Sequence, residues 1–290
     1  MDLFLNRYWP EIDRQAMVGG IMSAISAFSV TKALKTAVGF LPQTWAGAWL
    51  ILLVLMALVI GGPMAAMMLK TPLAGLALVV LLVIAKLMAQ GGLYRIALFG
   101  KSAREEGLGF GGLQFGAPEW RLLAASLVVT AFFILMTATL FVVFAIALSF
   151  SGLTHGYDTT TQAVQALMTR HQGIDYLFIA YIIGSFLFLV FVALKFALLA
   201  AANIAERRLV TLNALGLTSG HVGRICLGLL VILLPFGLIC GFVGQGLGHA
   251  GQTHFVVHAA LMALYIFLFL PMTVGFLAAS YRQIVTIRSK

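Results

Sequence analysis

Two lysines, Lys86 and Lys195, stand inside long apolar runs, LLVIAKLMAQ and FVALKFALLA. An ammonium group in such a setting either extends its stem to the nearest polar boundary or marks a place where an anion, a proton or a substrate is handled. A proton or cation relay needs carboxylates for company, and no Asp or Glu falls in the middle of an apolar run. Three histidines, His249, His254 and His258, gather where another apolar run begins. His254 and His258 are four apart and would share one side of a helix, a spacing that can bind a metal ion. Without an HExxH pattern or an acidic neighbour, the competing account is a set of polar interfacial histidines, and no metal or other cofactor is assigned.

Other candidates carry less chemistry. The run GLGFGG at 107–112 has the glycines of a phosphate-cradling loop, but no strand precedes it and no GK[ST] follows. A connector lying against a membrane is the expectation there. Cys226 and Cys240, fourteen residues apart, would be about 21 Å apart along one helix and so cannot bond to each other. No Ser-His-Asp, Cys-His or paired-carboxylate arrangement has supporting context, so the chain is expected not to be an enzyme.

The elements that hold these residues follow from composition. Of 290 residues 62% are hydrophobic and only 9% charged. Soluble domains carry about 25% charge, so too few charges are present to clothe a water-facing surface. A helix needs about 20 apolar residues to cross the hydrocarbon core. Six stretches qualify: 46–68, 72–90, 122–150, 174–202, 225–246 and 256–280. They are apolar on all faces, which excludes the alternating pattern of a membrane β-barrel. The fold expected is all-α, a polytopic bundle of six transmembrane helices with interfacial amphipathic helices beside it.

Segment 28–40 is the first of these amphipathic helices. Val30, Ala33, Leu34, Ala37 and Val38 can share a face from which Lys32 and Lys35 are absent. The division is then a segment 1–45 with the interfacial helix, a membrane domain 46–282 and a tail 283–290. Residues 16–28 form either a further shallow segment or none. The first twenty residues carry Arg7, Glu11, Asp13 and Arg14 where the apolar region of a signal peptide would lie.

The formal net charge is +9, from 18 Lys and Arg against 9 Asp and Glu. Six spans with both termini on one face place 14 of the 18 basic residues on that face. By the positive-inside rule both termini, the 91–121 loop and the 203–224 loop are cytoplasmic. Nucleic acid is excluded as the partner of this charge, because the basic residues sit in short groups between apolar runs. Anionic headgroups fit it instead, with Lys32, Lys35, Arg207, Arg208 and Arg224 as the candidate contacts. Pro63, Pro235 and Pro271 should kink their helices.

The stretch NIAERRLVTLNALGLTSGHVGRICLGLLVILLP at 203–235 resembles a segment of bacterial multi-pass proteins related to the membrane domain of glycerophosphodiester phosphodiesterases. In that group a turn of the form LTxGxxxRI leads into a span, and Leu217, Thr218, Gly220, Arg224 and Ile225 match it. The opening FSVTKALKTAVGFLPQTWAGAWLILL is similar to the same group's opening. The resemblance implies an all-helical protein of the bacterial inner membrane and does not imply hydrolase activity, since the phosphodiesterase chemistry belongs to a separate soluble domain. The function expected is lipid or membrane-protein binding and local membrane organisation, with homo-oligomerisation possible. The alternative is a small-molecule or lipid transporter with a cavity near Lys195.

Overall fold

The computed structural model describes residues 28–69, 71–150, 173–246 and 251–288. All regular elements among them are helical. They are α1 (Val30–Gly47), α2 (Trp49–Leu69), α3 (Pro72–Phe99), α4 (Ala117–Phe150), α5 (Gly173–Lys195), α6 (Leu199–Ala205), α7 (Ala214–Leu217), α8 (Val222–Gly246), α9 (Gly251–Leu264) and α10 (Leu270–Arg288). Six helical stretches are long and apolar enough to cross a membrane, with mean hydropathy from 2.2 to 2.7. They correspond one for one to the stretches expected from the sequence. Segment 16–28, apart from Phe28 itself, lies outside the described residues.

Burial alternates along the chain. In α2 the buried residues are at the start, Ile51, Leu52 and Leu55, and in α3 they crowd the end, from Ala85 to Leu98. In α4 Leu122 and Ala125 are buried near the start, then Val192, Phe196 and Ala201 at the end of α5 and in α6, then Ile225 at the start of α8, and finally Ile266 to Ile284. An up-and-down bundle with its main core at one end produces this alternation, and a second small cluster, Phe144, Leu148 and Phe178, joins α4 to α5 away from it. The opposite halves leave large apolar side chains exposed, among them Met67, Leu73, Phe150, Leu177 and Phe242. Only hydrocarbon makes that surface favourable.

Helix α1 starts at Ser29, whose hydroxyl accepts the Lys32 N–H. Its covered face is Ala33, Ala37, Phe40, Leu41 and Thr44, a helical spacing. The cover is α10, which runs antiparallel beside it. Ser29 N–H donates to Gln283 Oε1 at 3.0 Å, Gly275 packs on Ala37 and Phe40, and the Trp45 indole reaches Phe267. A methyl at Gly275 would come within 2.8 Å of the Phe40 ring. The apolar face expected to rest on lipid is therefore turned onto another helix, and Val38, placed on that face by the sequence, is exposed.

A π-helical turn, Tyr265–Phe269, joins α9 to α10, just before Pro271. Proline has no N–H to give the carbonyl four residues back, here Phe267. Trp45 Nε1–H donates to that Phe267 oxygen at 2.8 Å. The expected interruption at Pro271 is thus present as a wide turn, and its orphaned acceptor is satisfied from a helix 222 residues away in sequence. Pro63 and Pro235 lie inside helices that are continuous through them.

Candidate functional site

The 91–121 connector differs from the loop expected. Helix α3 continues through Gly91 and Gly92 to Phe99, and α4 starts at Ala117, so the true link is 100–116. Leucines, isoleucine and alanine follow the two glycines without a turn residue, and burial of that face keeps the helix going. Arg95, inside the expected 91–121 loop, is 3% exposed within α3, and its neighbour Tyr94 is also buried. Glu119, in the first turn of α4, is wholly buried.

Arg95 Nη2 lies 2.8 Å from Glu119 Oε1. The second carboxylate oxygen accepts the Gly116 N–H at 2.9 Å. The ion pair joins α3 to α4 where water is excluded, so each charge depends on the other. Glycine makes the approach possible: a methyl at Gly91 would stand 2.5 Å from Glu119 Oε1. Arg95 Nη1 and Gln114 Nε2 are buried without a hydrogen-bond partner among the described residues. Gln114 Oε1 accepts the Gly109 N–H at 3.1 Å and closes the glycine-rich link on itself.

Within that link Gly111 and Gly112 have φ of 59° and 83°, the left-handed region that glycine enters without strain. A methyl at Gly112 would meet Ile51 at 2.7 Å. The glycines of GLGFGG therefore serve a turn that packs on the start of α2, with Phe110 edge-on to Trp49. Trp49 and Trp120 remain exposed at the starts of α2 and α4, which is how amphipathic rings sit at headgroup level.

Two further connections meet here. Asn203, 1% exposed, grips the backbone of Val210 with both side-chain atoms. Its Oδ1 accepts the Val210 N–H at 2.9 Å and its Nδ2 donates to the Val210 carbonyl at 2.8 Å. This closes a short loop that displays Arg207 and Arg208. Arg207 pairs with Glu106 of the α3–α4 link. Arg208 pairs with Glu206 at 2.6 Å, and Glu206 also accepts from the Tyr281 hydroxyl at 3.1 Å. Arg282 donates to the Leu98 carbonyl.

The other candidates separate. Lys195 sits at a break: residues 196–198 leave the α-helix, and the Thr218 hydroxyl donates to the Lys195 carbonyl at 3.0 Å. Its ammonium donates to Ser219 Oγ at 3.3 Å and lies 5.7 Å from the centre of the Phe191 ring. Lys86 is exposed on α3. An open apolar groove of about 620 Å³ runs along α4, lined by Val129, Thr130, Phe133, Ile134, Thr137, Ala138 and Phe141, and neither lysine reaches it.

Lys32 and Lys35 are exposed on α1, whereas Arg224 donates to the Phe28 carbonyl at 2.9 Å. His258 is exposed; His249 and the His254 side chain lie outside the described residues. Among the described residues no group of three His, Cys, Asp or Glu could hold a metal. Cys226 and Cys240 are free thiols, both on α8.

Sequence reasoning named Arg207 and Arg208 but missed the Arg95–Glu119 pair and the Asn203 clamp. The signal for the pair was the unbroken apolar pattern of LYRIALF after Gly92, which argued for helix over turn. Comparison with protein-family models, with curated proteins and with solved structures gave no match.

Proposed function

We propose that this chain is a multi-pass protein of the bacterial cytoplasmic membrane that binds anionic lipid at its arginine-rich end, which faces the cytoplasm. The observation that supports this reading is the coincidence of exposed basic side chains with exposed tryptophans at the starts of two spanning helices. Lys32, Lys35, Arg207 and Arg208 supply charge, and Trp49 and Trp120, in the first turns of α2 and α4, mark the headgroup level. The role is binding and local organisation of the membrane, without catalysis, and the partner is the lipid surface itself. The buried Arg95–Glu119 pair and the Trp45–Phe267 bond hold the presenting elements in register.

Extraction of the full chain in native membrane patches tests the reading. Anionic lipids should be enriched over the bulk membrane, and replacing Lys32, Lys35, Arg207 and Arg208 by glutamine should abolish the enrichment while the chain still inserts. Retention of the bulk lipid ratio by the native chain, or a stoichiometric co-purifying protein in place of lipid, would replace lipid binding with another role.

A further inference from the structure

The loop closed by Asn203 and Val210 has a feature that lipid contact alone does not require. Arg207, at φ 51°, is the one non-glycine residue in the left-handed region among the described residues. Such a conformation is strained for a side chain larger than Asn, and it persists where the surroundings over-determine it. Here the clamp at Asn203 fixes the loop base, and Glu106, from the other connecting segment, holds the arginine tip. Yet the Arg207 side chain is 65% exposed and that of Glu106 only 25%. An ion pair so open to solvent contributes little by itself and is readily replaced. Arg208 is arranged alike, 75% exposed against Glu206. Leu209 and Leu212, next along the chain, are also exposed, although neither belongs to a spanning helix.

Resting on the lipid-binding reading above, we propose that Arg207 and Arg208 are exchange groups: at the membrane they leave Glu106 and Glu206 for lipid phosphates. Leu209 and Leu212 enter the headgroup boundary as they do so. A phosphate diester offers a guanidinium the same paired acceptors as a carboxylate, and in an anionic lipid no headgroup cation offsets its charge, so the exchange keeps the hydrogen bonds while freeing the arginine tip from Glu106. The exposed leucines select a lipid surface over dissolved phosphate, which would leave them in water. Because Glu106 belongs to the α3–α4 link, lipid contact separates that link from the 206–210 loop. Anionic lipid thereby controls whether the two connecting segments are joined or apart.

The test uses the full chain with Cys226→Ala and Cys240→Ala, spin labels at Ser102→Cys and Asn213→Cys, and nanodiscs of phosphatidylcholine with or without phosphatidylglycerol. The distance between labels should lengthen or broaden when phosphatidylglycerol is present. Glu106→Gln should show the separated distance in phosphatidylcholine alone and bind phosphatidylglycerol more tightly than the parent. Arg207→Gly, which accepts the backbone angle and removes the charge, should weaken that binding about fivefold while keeping the fold. A distance unchanged by phosphatidylglycerol, with Arg207→Gly still binding it more weakly, would overturn the exchange and leave lipid contact standing. Unchanged affinity in Arg207→Gly combined with Arg208→Ala would overturn lipid contact by this loop as well. The same lengthening with millimolar inorganic phosphate in phosphatidylcholine would overturn the assignment to a lipid surface.

Discussion

Arg95 and Glu119 meet 2.8 Å apart across α3 and α4, both removed from water, with the second oxygen of Glu119 holding the Gly116 N–H. The pair fixes the two helices that bound the glycine-rich link and therefore the position of Glu106. Removing one partner alone leaves an uncompensated buried charge, which costs about 3–5 kcal/mol. Glu119→Leu and Arg95→Leu should each lower the unfolding midpoint in detergent strongly, and the variant that carries both should lose much less than their sum. Additive losses would show that the two charges do not depend on one another.

Gly91 and Gly75 lie on the same helix and provide a matched comparison. A methyl at 91 meets the Glu119 carboxylate, whereas one at 75 meets nothing within 4 Å. Gly91→Ala should destabilise by about 1–3 kcal/mol, as overpacking does. Gly75→Ala should be neutral or slightly stabilising, since it only removes backbone freedom. Thermal unfolding of the two variants side by side checks this.

The indole of Trp45 and the ring of Pro271 act on one carbonyl, that of Phe267. Trp45→Phe leaves the oxygen unsatisfied at a cost of about 1–3 kcal/mol. In a Pro271→Ala background residue 271 regains an N–H, and the penalty of Trp45→Phe should shrink. A double-mutant cycle on the unfolding midpoint measures the difference.

The spans were legible because hydrocarbon imposes length and apolarity on each one independently of its neighbours. Their alternation followed from counting. What stayed hidden depends on partners remote in sequence. The glycines at 91 and 92 signal a turn in isolation, but here they open space for Glu119. Arg95 and Glu119 looked like loop charges because nothing in either local pattern announces the other. The face of α1 was read for lipid since the stripe of small residues that meets Gly275 is apolar in either environment. Asn203, at the end of an apolar run, carried no sign that it would bind both backbone groups of Val210. Arg207 and Arg208 could be named from charge alone, while their ties to Glu106 and Glu206 required the fold.

Sidedness has its own expected outcome. In a cysteine-free background, Ser102→Cys at the arginine-rich end should react with a membrane-impermeant maleimide only after the cytoplasmic face is opened. Met67→Cys, at the far end of α2, should react from outside. The reverse pattern would place the arginine-rich end on the other leaflet.

Trp49 and Trp120 are exposed in the first turns of α2 and α4, the helix ends that adjoin the arginine-bearing connections, so their fluorescence reports the surroundings of that end. The most direct measurement is quenching by brominated phosphatidylglycerol compared with brominated phosphatidylcholine, at equal mole fraction, in vesicles containing the full chain. Binding of anionic lipid at this end predicts stronger quenching by the phosphatidylglycerol, a difference that falls as salt screens the headgroups. Equal quenching by the two lipids at low salt would contradict it.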